Sequence, residues 1–413
     1  MSDTNIAVIS TLVAADCFVD ALISVDPIMT FADKTPEGDF NGREYDSGTT
    51  VYIKVEDQPQ LPAQSNVART SPIVQRQRAL TALQYNDQIP LPSLEYEYFL
   101  GGEKKLRKTF KNRMESIAVQ AAINCYDVLG QAMNFVGTAG SDLKTSTDWG
   151  LARAVLNDQL SGTSGLVAAV SPRAMANIAG DRSPLFLPTE AVSKAYTDGR
   201  IQRVAGFKMF ESTILPLHTN GDAVGNGTSG MAVGTNVTTG ATSVAVTGGT
   251  SAGTVTKNSI IYFKGAYAVQ PHTKKTLQTL RFFTVAADVT LSSGAGTITL
   301  TEPIYGPENP KLQNISVLPT TSANQYVGIK GTASVTYEQC FFFKEDSFAA
   351  VGLKMPDLFA LKNSHENYEG VNVRSCAYAD GGNSNSFVRW DILNGACIKQ
   401  PLHIGRAFVA ALS

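Results

Sequence analysis

The sequence predicts an α+β protein whose main body is interrupted by an all-β module. Three observations carry this reading. A long helical period runs from about Glu103 to Val136 without a proline. Helices then alternate with strands as far as Leu217. At Thr219 the composition changes abruptly, and from Asn220 to Thr256 the only charged residue is Asp222 among Gly, Thr, Ser, Ala and Val.

Composition bounds the function. The chain has 413 residues, 43% of them hydrophobic, enough for several cores, and only 17% are charged. Its 35 glycines favour sheets, turns and extended segments. A net charge of -2 argues against a free nucleic-acid binder, which would carry a basic excess, so any DNA contact is expected to be loose. Cys17, Cys125, Cys340, Cys376 and Cys397 lie far apart without metal-ligand spacing, which points to reduced thiols. The N-terminus lacks a basic n-region, and no apolar window reaches membrane-spanning length; an aqueous, reducing compartment is expected.

Each element follows in order. Thr11 to Val25 carries one apolar stripe at helical spacing before Pro27, and Phe31 to Asp46 has no period, as in an extended arm. Thr49 to Val55 and Ser93 to Leu100 read as strands joined by a long Pro/Gln-rich excursion, of a kind that is uncommon in a compact domain unless functional. The long helix follows Gly101-Gly102, with Leu106, Phe110, Met114, Ile117, Ala121, Cys125, Leu129 and Ala132 on its apolar stripe. Its first turns hold Lys104, Lys105, Arg107, Lys108, Lys111 and Arg113. Cations there oppose the helix dipole, so the cluster is either a solvated face or a partner site.

A second helix spans Trp149 to Leu160, capped by Thr147 or Asp148. Gly165 to Val170 reads as a buried strand, Ser171-Pro172 opens a short helix, and Ser212 to Leu217 reads as an apolar strand. In the module, strands are expected at Ser243 to Thr247, Ser259 to Phe263, Thr279 to Val285, Val289 to Leu291, Thr297 to Thr301 and Ile315 to Leu318. Helix-and-strand patterning resumes at Cys340 to Asp357, and Ser386 to Ile392 and Pro401 to Leu412 look like strands.

Motifs for chemistry are weak. Gly225 to Gly230 fits a dinucleotide-binding pattern and Gly249 to Gly253 a nucleophile elbow, but neither has a following helix. His218, His272, His365 and His403 have no metal-ligand spacing and read as structural or surface residues. Catalysis has no visible carrier, so a structural protein that needs no cofactor is expected.

Four segments carry a resemblance. They are Thr50 to Gln58 (Thr-Val-Tyr-Ile-Lys-Val-Glu-Asp-Gln), Lys105 to Arg113 (Lys-Leu-Arg-Lys-Thr-Phe-Lys-Asn-Arg), Val170 to Arg173 (Val-Ser-Pro-Arg), and Ala195 to Phe207 (Ala-Tyr-Thr-Asp-Gly-Arg-Ile-Gln-Arg-Val-Ala-Gly-Phe). In order and spacing they resemble the coat protein of the short-tailed Salmonella phage and its relatives, and the last segment is the specific one. The resemblance implies a Hong Kong 97-like capsid fold. Residues 1-46 would be an N-terminal arm, 47-100 an extended loop, and 101-140 with 381-413 a peripheral domain built on a spine helix. Residues 141-218 with 320-380 would form an axial domain, and 219-319 an inserted β-barrel-like domain.

The implied function is a major capsid protein that assembles with itself, as pentamers and hexamers, into an icosahedral head shell around double-stranded DNA. Its implied partners are a scaffolding protein and a portal, with no membrane and only loose contact with packaged DNA. It would assemble in the host cytoplasm without covalent cross-links. Candidate contacts are the helix cluster Lys104, Lys105, Arg107, Lys108, Lys111 and Arg113, and the module's Lys257, Lys264, Lys274, Lys275, Arg281 and Asp288. The rival reading is a tail or decoration protein with the Gly/Thr/Ser-rich module as an adhesin; it leaves the long helix unexplained.

Overall fold

The computed structural model describes residues 26–36, 50–55, 76–92, 103–182, 201–223, 225, 227–321, 325–357, 362–368, 371–380 and 385–412. The expected helix Thr11 to Val25, the strand Ser93 to Leu100 and most of the arm lie outside them. The chain divides into two compact units. One comprises Met1–Ile53, Arg78–Val128 and Phe348–Lys399; the other comprises Lys54–Gln77, Leu129–Ser347 and Gln400–Ser413.

The first unit holds the long helix α1 (Glu103–Leu129) and a five-stranded antiparallel sheet. In α1, Met114, Ile117, Ala118, Ala121, Ala122 and Cys125 are buried at three- and four-residue steps. The helix ends at Leu129, before Gly130, and not at Val136. Residues 134–135 instead run as a short strand beside Gly405 and Arg406. A turn at Pro27–Phe31 lies on this helix: Tyr126 donates its hydroxyl to Asp26 Oδ2 at 2.8 Å, and Cys125 touches Met29.

The sheet of this unit is built on Asn385–Ile398, which pairs with Val371–Asp380, Phe348–Leu353 and Leu83–Pro92. The last of these is a strand inside the stretch expected to be irregular. A second, Arg76–Thr81, pairs with Thr50–Val55 in a two-stranded ribbon. Both were masked by polar composition. Pro90 and Pro92 are tolerated because, among the described residues, Leu83–Pro92 pairs on one side only, at the sheet edge.

The second unit centres on the strand Thr336–Lys344. It is flanked by Ile404–Leu412 and Leu166–Val170, both antiparallel to it; beyond Leu166–Val170 lies Phe207–Glu211, in parallel. Two helices accompany this sheet. Helix α2 (Ser146–Asp158) is capped by Thr145, not by Thr147 or Asp148: Thr145 and Asp148 exchange hydrogen bonds in a capping box. Helix α3 (Pro172–Arg182) starts where Ser171 Oγ accepts the Ala174 amide. The expected strand Ser212 to Leu217 is irregular chain, and the regular strand lies just before it, at Phe207–Glu211.

The module leaves this sheet after the short strand His218–Thr219 and returns to it at Thr336. Ala241–Thr247 pairs with Gly296–Ile304, and Ile260–Val269 with Thr276–Thr284. Their inward residues, among them Val244, Val246, Phe263, Phe283, Ile298, Leu300 and Ile304, form one core with Leu291. Ile315 to Leu318 is not a strand; Ile315 makes a single bridge to Ala268.

The late part of the chain is partitioned differently from the expectation. Val327–Ile329 pairs with Ile260–Val269, so the module extends past 319. No helix occurs between Cys340 and Asp357, where Thr336–Lys344 and Phe348–Leu353 are strands buried on both faces and therefore without alternation. Residues 381-413 do not stay together, since Asn385–Ile398 and Ile404–Leu412 enter different sheets. Likewise 348-380 sits with α1 and not with Thr336–Lys344. Among the described residues, no helix is long and apolar enough to cross a membrane.

Candidate assembly site

The residues that could meet other molecules are best placed by what holds them. Of the helix cluster, Lys104, Lys105, Arg107, Lys108, Lys111 and Arg113 all lie in the first turns of α1, and their side chains fall outside the described residues. In the module, Lys257, Lys264, Lys275 and Asp288 are exposed and Lys274 is half-buried in the turn between two strands. Asp288 also accepts the Lys257 amide, tying two loops together, and the Lys264 ammonium lies 5.8 Å over the Tyr326 ring.

Arg281 does not belong with them. It is 1% exposed, and burial pushes its pKa down to about 10 against the opposing field of Glu302. Strand alternation explains the difference: Arg281 and Phe283 face the core of the module on the same side of their strand. Asp222, the lone early charge, accepts the amide and hydroxyl of Thr254, and these bonds lower its pKa.

The segment Ala195 to Phe207 is described only from Ile201. There it forms a hairpin in which Arg203–Val204 pairs with Phe207–Glu211. Ala205 and Gly206 both have positive φ, 49° and 92°, as a two-residue hairpin of this hand requires. Arg153 of α2 donates to the Ala205 carbonyl at 3.3 Å, and a Cβ on Gly206 would stand 3.3 Å from its guanidinium.

Sequence reasoning missed the anchor of the module. Arg406, in the last strand, is fully buried; it donates to Gln339 Oε1 at 3.1 Å and to the Asn258 carbonyl, and lies over the Phe408 ring. Loss of hydration lowers its pKa to about 9. The Phe408 ring is stacked between His218, at 4.9 Å, and Tyr337, at 5.4 Å. His218 donates from Nε2 to Asn220 Oδ1 at 2.9 Å, and burial with the Arg406 charge pushes its pKa down to about 4. Thr284 donates to the Ala132 carbonyl at 2.6 Å, and Lys330 lies against the rings of Phe135, Tyr262 and Phe282. A lone arginine in the apolar run Ile404 to Leu412 was the signal available in the sequence. The clamp joins the entry, the exit and the middle of the module to the C-terminal strand.

Residues 136–410, about two thirds of the chain and including His218, Tyr337, Arg406 and Phe408 of that clamp, match the family described as "P22 coat protein - gene protein 5". The chain belongs to the P22 coat protein family. It is a major capsid protein that forms the head shell of a phage by assembly with its own copies, and it is part of the virion. Membership brings with it a structural role in the shell.

Solved structures similar to this coat protein include a chain of Mycobacterium phage Che8, at 10% identity and a TM-score of 0.47, covering 91% of this chain and 89% of that one. The capsid of cyanophage P-SCSP1u gives 9% identity and a TM-score of 0.43, with 88% and 84% covered. The mature capsid of bacteriophage PhiM1 gives 7% identity and a TM-score of 0.43, with 89% and 84% covered. No curated protein matches the chain in sequence.

Proposed function

We propose that this coat protein builds an icosahedral shell of pentamers and hexamers in the host cytoplasm, around double-stranded DNA, with a scaffolding protein and a portal. The family match over 136–410 carries the reading. In it, residues 1–46 are the arm and 47–100 the extended loop that reaches a neighbouring copy. Helix α1 with the five-stranded sheet is the peripheral domain, and α2 and α3 with the sheet around Thr336–Lys344 are the axial domain. The insertion presents Lys257, Lys264, Lys274, Lys275 and Asp288 toward neighbouring copies, and the first turns of α1 bind scaffold. A near-neutral chain, at net charge -2, leaves packaged DNA loosely held at the inner wall.

Several modest interfaces suit such a subunit, because each copy can bury surface on many neighbours while staying soluble alone. The test is electron microscopy of the chain expressed with and without its neighbouring phage genes. Closed shells of uniform size are expected with those genes; small discrete oligomers in both preparations would sink the reading.

A further inference from the structure

Two asparagines that tie strands together are each followed by a glycine. Asn-Gly pairs stand at 41, 220, 226 and 394, and those at 220 and 394 lie wholly among the described residues. Asn220 is 2% exposed; its Nδ2 donates to the carbonyls of Lys330 and Thr332, and its Oδ1 accepts from His218. Asn394 is 1% exposed; its Nδ2 donates to the Val351 carbonyl at 3.2 Å, and its Oδ1 accepts from Asn124 Nδ2 at 3.1 Å. The glycines are fixed by a different constraint. A Cβ on Gly221 would run into the Thr254 carbonyl oxygen, and one on Gly395 into that of Thr81.

Packing therefore demands, at both places, a dipeptide prone to deamidation. With no Cβ in the way, a glycine nitrogen can reach the side-chain amide carbon of the residue before it. That nitrogen gives up its proton and bonds to the asparagine Cγ; the Cγ–Nδ2 bond breaks, and ammonia leaves with the proton. Water then opens the succinimide ring to aspartate or isoaspartate, and nothing is oxidised or reduced. In the fold this path is closed. Turning Cγ toward the glycine nitrogen would break the hydrogen bonds at both ends of the amide, at sites shut off from water.

We propose that Asn220 and Asn394 are deamidation sites of the unfolded chain which folding closes, so that a chain slow to fold is marked irreversibly and drops out of the pool of native subunits. An aspartate at 220 turns an acceptor toward the carbonyls of Lys330 and Thr332, where a donor is needed, and buries a charge there. At 394 it does the same to the carbonyl of Val351. Isoaspartate also adds one carbon to the main chain, which shifts Asn385–Ile398 against Phe348–Leu353.

The full chain, held unfolded in guanidinium chloride at mildly alkaline pH and then refolded by dilution, tests this, with aspartate and isoaspartate at 220 and 394 read by peptide mass spectrometry. Conversion at both sites is expected to be at least about tenfold slower in chain kept folded at the same pH, since each site has to open first. Refolded and unrefolded material from one sample are then separated by size. The refolded fraction should be depleted of both products, at 220 and at 394, by about tenfold or more. Equal conversion in folded and unfolded chain, or equal product content in the two fractions, would overturn the proposal. Asn220→Asp, expressed directly, checks the consequence without denaturant: its soluble yield should be several-fold below that of the parent chain, and a parental yield would also overturn the proposal.

Discussion

Asn220 donates from Nδ2 to the carbonyl oxygen of Lys330 across 2.9 Å, and so joins the chain entering the insertion to the chain leaving it. The same nitrogen is 3.2 Å from the Thr332 carbonyl, while Oδ1 accepts from His218. A single amide thus satisfies two strands that are 110 residues apart in sequence. Replacing it by alanine removes the donor to those carbonyls and leaves the His218 N–H only the Ser259 hydroxyl, at 3.5 Å, at a site 2% exposed. Asn220→Ala is expected to destabilise the subunit by about 1 to 3 kcal/mol in chemical denaturation. A loss below a few tenths would show that the junction is held elsewhere.

Gly331 completes that junction. Its φ is +100°, and a Cβ there would lie 2.3 Å from Asn220 Nδ2. Gly331→Ala combines backbone strain with a clash and should cost at least as much as Asn220→Ala, on the order of 2 to 4 kcal/mol. Combined with Asn220→Ala, its effect should shrink, because the atom it strikes is gone; thermal midpoints of the two single variants and the pair check this.

The buried histidine makes stability depend on pH. His218 has a folded pKa near 4 against 6.5 in the unfolded chain, so between those values the unfolded state binds the extra proton. Stability is full above about pH 6.5 and falls as pH drops toward 4, by roughly 3 kcal/mol in all. In His218→Gln this part of the slope should vanish, as measured by urea midpoints from pH 7 to 4. An unchanged slope in that variant would assign the acid sensitivity to other groups.

The cation cluster of α1 is tested by function and not by stability. Lys105→Glu with Lys108→Glu is expected to give a folded subunit with unchanged circular dichroism that no longer forms regular procapsids with its scaffold. It reverses charge in the first two turns, near the end where acidic residues favour the helix dipole, so folding is spared. Procapsids of normal yield and size from this variant would refute the assignment.

Buried thiols give a chemical check. Cys125 and Cys340 are fully buried, and desolvation raises both their pKa values, so the thiolate is scarce. In the folded subunit they should resist thiol reagents at pH 8 and become labelled only after denaturation; rapid labelling in the native state would contradict their placement.

What the sequence determined by itself is local and periodic. The 3.6-residue stripe of α1, the Pro172 start of α3, the change of composition at Thr219 and the specific segment ending at Phe207 are all written in neighbouring residues, where spacing and steric preference act. Even so, polar strands such as Arg76–Thr81 and Leu83–Pro92 escaped, because their pairing with Thr50–Val55 and Asn385–Ile398 supplies what their composition does not. Doubly buried strands such as Phe348–Leu353 escaped for the opposite reason, having no alternation to read.

Only the tertiary structure decided which strands share a sheet and which charges are buried. Asn385–Ile398 and Ile404–Leu412 are close in sequence and similar in pattern, yet they join different sheets, since backbone hydrogen bonding carries no address of its own. Arg281 and Lys275 look alike in sequence; one faces a core beside Glu302 and the other faces solvent. Arg406 anchors the insertion because Gln339, Asn258 and Phe408 converge on it from distant positions. Charge, hydration and partners at such a residue are properties of the assembled neighbourhood, and that neighbourhood exists only once the chain has folded.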